Sequence, residues 1–151
     1  MNVKHILQRK GSAVTTIPTG ATIGEAARTL AEARIGAIVV SDDGTTINGI
    51  LSERDIVRMI GTEGSGALTR PVTEAMTANV ITCKPDDRIN VLMSMMTQRR
   101  IRHLPVAENG KMTGLISIGD VVKERMDEIE SDAAAMRDYI TGMTAWRPFQ
   151  P

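Results

Sequence analysis

Aromatic residues are nearly absent from this chain of 151 residues, of which they make up 2%. Those present are Tyr139, Trp146 and Phe149, so residues 1–138 must build their core from aliphatic side chains and methionine. Proteins that bind single-stranded nucleic acid stack its bases on aromatic side chains. The body of this chain lacks such a platform, and we expect no nucleic-acid partner.

Cysteine and histidine are equally scarce, with one cysteine, Cys83, and two histidines, His5 and His103. This set cannot build a disulfide framework or a zinc site, so we expect no metal centre and a reducing, cytoplasmic location. Cys83 lies in a strand pattern and is expected to be an inert core thiol. The chain has no run of about eighteen apolar residues and no apolar signal core, so we expect neither membrane insertion nor export.

Net charge is also missing, because 18 Lys and Arg are balanced by 18 Asp and Glu. A balanced chain offers no electrostatic footprint for nucleic acid or for an anionic membrane. With 42% hydrophobic residues, the length fits one domain or two small halves. A fold of this size can bury roughly 70% of the surface that its unfolded chain exposes.

An internal duplication dominates what the chain does contain. Residues 16–40 align with 82–106 at an offset of 66, and residues 49–57 align with 114–122 at an offset of 65. Each copy reads as a short strand, a helix, two strands joined by a turn (DDG or ENG), and a second helix. The order β-α-β-β-α, present twice, predicts an α/β fold in which the two copies pack as a pseudo-twofold pair.

The same pattern divides the chain into segments. We place the first repeat at residues 1–61, a Gly/Ser-rich linker at 62–71, the second repeat at 72–125, and a C-terminal helix and tail at 126–151. We expect the last residues, from Trp146 to Pro151, to be irregular.

The long C-terminal helix carries an apolar stripe whose members recur at spacings of three and four. They are Met126, Ile129, Ala133, Met136 and Ile140. This stripe could dock on its own chain, or it could form a seam between subunits, because so long a helix outreaches a half-module this small. The sequence leaves both interpretations open.

Helix starts differ between the copies. Thr22 and Glu25 form a capping-box sequence that predicts a helix start in the first repeat. At the equivalent point of the second repeat Arg88 replaces the threonine, so Asp86 or Asp87 would have to cap that helix.

Each copy closes with Ser-x-x-Asp where a strand leads into a helix: Ser52 with Asp55, and Ser117 with Asp120. One interpretation is structural, because serine at the N-cap and aspartate three residues later cap a helix and stabilise it by about 1 kcal/mol. The other is ligand binding. A helix N-terminus attracts phosphate, and a carboxylate there can accept both hydroxyls of a ribose. A site that can bind both a phosphate and a diol indicates a nucleotide ligand.

With this motif in register in both copies, residues 1–125 resemble the cystathionine-beta-synthase (CBS) domain pair, or Bateman module. The resemblance implies a regulatory module that binds adenosine-containing ligands such as AMP, ATP, NAD(H) or S-adenosylmethionine in the cleft between its repeats. It also implies a homodimer and no catalytic cofactor. We expect the module to act in trans on a partner protein.

The resemblance further implies which residues contact the ligand. The two aspartates of the motif would bind ribose, and the two serines ribose or phosphate. A threonine near the end of each first strand would lie beside the nucleoside, and the start of the next strand would line the base or phosphate region. The threonines are Thr16 and Thr82. The residues at the start of the next strand are Ile35, Gly36 and Ala37 in the first copy and Ile101, Arg102 and His103 in the second.

Basic side chains favour one cleft for phosphate. Arg102 and His103 of the second copy replace Gly36 and Ala37 of the first, and Arg54 is a further phosphate candidate. The alternatives to phosphate binding are that His103 is a hydrogen-bonded histidine within a strand and that the arginines lie at a solvated helix end. We therefore expect the two clefts to differ in affinity or in ligand.

Three function classes remain. No nucleophile elbow or metal constellation is present, so we do not expect an enzyme. A ligand sensor is the first hypothesis, and a ligand-independent interaction or scaffold dimer is the second. A magnesium-responsive module is the weakest, because the clefts have no acidic cluster.

Overall fold

The computed structural model describes residues 1–145, with side chains as far as Gly142, so the tail from Trp146 to Pro151 lies outside the described residues. The predicted α/β fold of two repeats and a long C-terminal helix is confirmed. Its elements are α1 (Val3–Lys10), β1 (Thr16–Ile17), α2 (Ile23–Ala33), β2 (Ala37–Val40), β3 (Gly49–Ser52), α3 (Glu53–Glu63), α4 (Ile89–Arg99), β4 (His103–Glu108), β5 (Lys111–Ser117) and α5 (Ile118–Ala145).

The two repeats differ in their sheets. In the first, β1 runs parallel to β2, which pairs antiparallel with β3. In the second, β4 pairs with β5, and the predicted strand at 79–83 is reduced to a single parallel bridge between Cys83 and Val106. Pro105 explains the loss. It stands where the first repeat has Val39, and having no N–H it cannot donate to the neighbouring chain and extend the ladder.

The two predicted turns also differ. Asn109 and Gly110 join β4 to β5 with positive φ angles of 54° and 77°, which is the conformation of a tight hairpin turn. The DDG sequence of the first repeat does not make a tight hairpin. Residues 41–48 form a longer loop there, because the Asp43 carboxylate accepts hydrogen bonds from the backbone N–H groups of Thr45 and Thr46.

Helix capping follows the prediction in one repeat and not in the other. The Thr22 and Glu25 capping box is present at the start of α2. At the start of α4 the N-cap is Arg88, whose side chain makes no capping hydrogen bond. The prediction that Asp86 or Asp87 caps this helix is wrong, because the Asp87 carboxylate instead accepts the backbone N–H of Lys84 at 2.9 Å.

Each hydrophobic core takes a segment from the other repeat. Val3 and Ile6 of α1 are buried in the core of the second repeat, and Val72 is buried in the core of the first. The backbone shows the same exchange, since the N–H of Val3 donates to Asp87 and the N–H of Val72 donates to Ala21. The two repeats are therefore tied together by an exchange of segments between their cores.

The segment between the repeats is ordered. Gly64–Thr69 forms a 3-10 helix in which Ala67 is fully buried, and a second 3-10 turn follows at Val72–Glu74. Among the helices of residues 1–145, none is both long enough and apolar enough to cross a membrane.

The stripe on α5 is exposed. Met126, Ile129, Met136 and Ile140 all face solvent in the described chain. The interpretation in which this stripe docks on its own chain is therefore wrong. The globular part of the fold is covered by the N-terminal turns of α5, and the rest of the helix extends beyond it.

Candidate functional site

A cavity of about 230 Å³ lies between the two repeats at the N-terminus of α3. We call it the first cleft. Most of the sequence-predicted site residues meet there: Gly36, Ala37, Ser52, Arg54, Asp55, Ile101, Arg102 and His103. Elements distant in sequence therefore converge, because β3 and α3 supply one wall and the start of β4 supplies the other.

Ser52 and Asp55 cap α3 as the structural interpretation predicts. The Ser52 hydroxyl accepts the backbone N–H of Asp55 at 3.2 Å, and Oδ2 of Asp55 accepts the backbone N–H of Ser52 at 2.9 Å. The Ser52 hydroxyl also lies 3.0 Å from Oδ2. Both contacts of the carboxylate use the same oxygen, Oδ2. The other, Oδ1, lies 3.8 Å from Arg58, so the capping role leaves it available to a ligand.

Basic side chains line the same cavity as this carboxylate. Arg54, Arg100, Arg102 and His103 all line the first cleft, together with Glu53. Guanidinium groups bind phosphate through paired, charge-assisted hydrogen bonds, and the N-terminus of α3 adds a partial positive charge. The first cleft thus combines a diol acceptor with a set of anion-binding groups.

His103 lies where the two repeats meet, and it lines a second cavity as well as the first cleft. A Cβ atom on Gly36 would lie 3.5 Å from Nε2 and from Cε1 of this ring, which is ordinary van der Waals contact, so the imidazole lies directly beside position 36. Burial lowers the pKa of His103, and Lys10 and Arg102 lower it further, against opposing effects of Glu53 and Asp120. The imidazole is therefore neutral at neutral pH.

The second cavity, of about 370 Å³, is related to the first by the duplication, and we call it the second cleft. It is lined by Lys10, Arg34, Ile35, His103 and Ser117, among others. Here Oδ2 of Asp120 accepts the backbone N–H of Ser117 at 2.8 Å and also binds the ammonium group of Lys10 at 2.7 Å.

The charge on Asp120 is balanced from within the chain. Burial, the largest influence, raises its pKa, but hydrogen bonds from Lys10 and Ser117 outweigh burial and lower the pKa below its usual value. The carboxylate is therefore charged at neutral pH. Asp120 is not among the described residues that line the second cleft, whereas Asp55 does line the first.

Comparison with known proteins identifies the family of this fold. A family model described as CBS domain matches residues 3–62 and, a second time, residues 72–127. The chain belongs to the CBS-domain family. The resemblance in the sequence is thereby confirmed.

Two solved CBS structures resemble the whole pair. A CBS-domain containing protein from Agrobacterium tumefaciens matches with a TM-score of 0.80 and 46% identity, over 83% of this chain and 99% of that one. A CBS domain protein from Pyrobaculum aerophilum, solved in complex with AMP, matches with a TM-score of 0.70 and 30% identity, over 80% of this chain and 89% of that one.

Two relatives with similar sequences are longer. The mitochondrial CBS domain-containing protein CBSX3 of Arabidopsis thaliana is 34% identical over 128 residues, which are 82% of this chain and 62% of that protein. Arabinose 5-phosphate isomerase GutQ of Salmonella typhi is 34% identical over 121 residues, 80% of this chain and 37% of the isomerase. The chain therefore spans less than two thirds of the length of either relative.

Besides Asp120, two further predicted residues of the CBS pair do not line the clefts. Thr16 is paired with Val39 inside the sheet, and Thr82 does not line either cavity. Their neighbours Thr15 and Ile81 line the second and first clefts instead. Successive side chains of an extended chain point to opposite faces, so a shift of one residue changes which side chain faces the ligand space.

Other cleft residues were not predicted from the sequence. Asn79 and Glu53 line the first cleft, and Lys10 lines the second. Glu53 stands inside the Ser-x-x-Asp motif, so its position was a usable signal. Lys10 gave no signal, because its approach to Asp120 depends on where α1 docks. Within residues 1–145, no group of three histidine, cysteine or acidic side chains is arranged to hold a metal ion.

Proposed function

We propose that this CBS pair is a regulatory module that binds an adenosine nucleotide, AMP, ATP or NAD(H), in the first cleft. The observation that carries the proposal is Asp55, whose Oδ1 is left out of the cap and lies in a cavity lined by basic side chains. The AMP complex of the Pyrobaculum aerophilum relative supports the choice of ligand class.

The ligand would be held at two points. Oδ1 of Asp55 accepts the ribose hydroxyls, each a charge-assisted bond that contributes about 1.5–3 kcal/mol. Arg54, Arg102 and His103 bind the phosphate from both repeats. Binding of an anion favours the protonated imidazole of His103, so uptake of a proton accompanies binding near neutral pH.

The output of the module is regulation rather than catalysis. A ligand that touches Asp55 in one repeat and His103 in the other favours one arrangement of the two repeats over another. That preference can be transmitted to a partner protein in trans, because coupling needs only a difference in ligand affinity between two arrangements. We propose further that the module works as a homodimer.

The experiment is isothermal titration of the purified chain with AMP, ATP, NAD and NADH, and with GTP as the base control. Asp55→Ala is compared with Asp120→Ala, which removes the equivalent carboxylate from the second cleft. We expect Asp55→Ala to weaken binding by roughly tenfold or more and Asp120→Ala to change it little. Equal affinity of the wild type and of Asp55→Ala for every nucleotide would contradict the proposal.

A further inference from the structure

The C-terminal part of α5 presents an apolar face that the described chain leaves uncovered. Met126, Ile129, Met136 and Ile140 are 63%, 52%, 59% and 52% exposed. Ala133, between them, is also exposed. An isolated helix is only marginally stable in water and gains most of its stability by packing an apolar face against a partner. A partner for this face is therefore expected.

The spacing of these residues specifies the geometry of the partner. The alternation of three and four residues from Met126 to Ile140 places Met126, Ala133 and Ile140 at heptad position a, and Ile129 and Met136 at position d. A repeat of 3.5 residues makes a narrow seam that matches another helix of the same kind. A broader stripe would be needed to pack on a globular core.

The charges beside the seam specify its direction. Arg125 and Asp132 occupy position g, and Glu130 and Arg137 occupy position e. In a parallel pair of helices, position g of one helix lies beside position e of the next heptad of the other. Arg125 then faces Glu130 of the second copy, and Asp132 faces Arg137, so each flanking charge meets its opposite.

An antiparallel pair satisfies these charges less well. It brings e beside e and g beside g, so Glu130 can meet Arg137 while Asp132 faces the neutral Tyr139. Within residues 1–145, the only salt bridge at these four flanking positions is that of Arg125 with Glu128, at 3.1 Å. The side chains of Glu130, Asp132 and Arg137 are thus available to a second helix.

We propose that residues 126–140 of α5 form a parallel, in-register, two-stranded coiled coil with a second copy of this chain. The seam is about 22 Å long at 1.5 Å per residue. It belongs to the same helix that starts at the Ser117 and Asp120 motif of the second cleft. The coiled coil does not depend on whether a nucleotide binds.

Disulfide crosslinking of the full chain tests both contact and direction. Ile129→Cys and Ile140→Cys lie at the two ends of the seam, and Ser131→Cys, on the outer face, is the matched control. A parallel, in-register seam predicts that each of the first two variants crosslinks to itself under mild oxidation and that the control does not. The native Cys83 is buried, so the wild-type chain measures the background level of crosslinking.

Two results would overturn the proposal. If neither variant crosslinks alone but a mixture of the two does, the helices are antiparallel. If nothing crosslinks while the variants remain folded by circular dichroism, the second copy is not the occupant and another protein covers the stripe.

A charge exchange tests the register independently. Asp132→Arg places like charges against Arg137 of the second copy and should abolish the crosslink of Ile140→Cys. Adding Arg137→Asp restores opposite charges and should restore the crosslink. Asp138→Arg makes the same charge change on the outer face and should have no effect. Failure of the double variant to recover would refute the parallel pairing.

Discussion

The ammonium group of Lys10 lies 2.7 Å from Oδ2 of Asp120, at the position where the first repeat leaves Asp55 without a lysine. The contact joins residues 110 positions apart. Lys10 pairs with the same oxygen, Oδ2, that caps the helix, and its side chain lines the second cleft, so it places an internal cation beside the carboxylate expected to bind ribose. The near symmetry of the two repeats is thereby broken at the aspartate of the motif.

Lys10→Ala should therefore open the second cleft to nucleotide. We expect titration calorimetry to show one nucleotide bound per wild-type chain and two per Lys10→Ala chain. The partly exposed ion pair contributes at most about 1 kcal/mol to stability, so the variant should remain folded. Lys4→Ala, another lysine of α1, is the control. Two equal sites in the wild type would show that Lys10 does not block the cleft.

A buried carboxylate fastens α1 to α5. Glu124 is only 3% exposed and is paired with Arg9, which also binds Asp127. Removing Arg9 leaves the Glu124 charge buried without its partner, so Arg9→Ala should lower the free energy of unfolding by about 3 kcal/mol in urea denaturation.

Two further variants test that reading. Arg9→Met combined with Glu124→Leu should recover most of the loss, because no charge is then left buried. Arg125→Ala, which removes a more exposed pair with Glu128, should cost less than about 1 kcal/mol. Equal losses for Arg9→Ala and Arg125→Ala would be inconsistent with a special role for the buried carboxylate.

The lowered pKa of His103 predicts a dependence of stability on pH. The unfolded chain takes up a proton on this imidazole near pH 6.5, whereas the folded chain takes it up only at lower pH. The unfolded state then binds more protons, so stability should fall as the pH decreases below about 6.5 and level off below the folded-state pKa. Thermal unfolding of His103→Gln between pH 8 and pH 5 should show a smaller slope, with His5→Gln as the control.

Burial, helped by the nearby Asp87, raises the pKa of the Cys83 thiol to about 12. Only the thiolate is nucleophilic, so the folded protein should react with a thiol reagent far more slowly than the urea-unfolded chain does. Absorbance after addition of an aromatic disulfide measures both rates. Rapid reaction of the folded chain would mean that the region around Cys83 opens readily.

Local sequence signals predicted much of the fold correctly. The capping box at Thr22, the hairpin turn at Asn109 and the Ser-x-x-Asp helix starts were readable because each involves residues within a few positions of one another. The duplication also predicted which residues of one repeat correspond to which residues of the other. The same signals failed at Arg88, where no side chain caps the helix and the Asp87 carboxylate accepts the N–H of Lys84 instead.

The candidate site was predicted in part. Its aspartates and serines follow from the motif. Whether Thr15 or Thr16 faces the cleft depends on strand register, because a shift of one residue turns each side chain to the opposite face. The ligand roles of these residues remain predictions that the binding experiments above address.

The sequence by itself determined the repeat, the order of its elements and the position of the motif at each helix start, because these depend on short-range patterns of hydrophobicity and capping. Only the tertiary structure decided which core α1 enters and hence that Lys10 reaches Asp120. Docking of a helix depends on the summed packing of surfaces distant in the chain, and no local pattern records that sum. The two clefts therefore share their motif in sequence, and the pairing of Lys10 with Asp120 becomes visible only once the chain is folded.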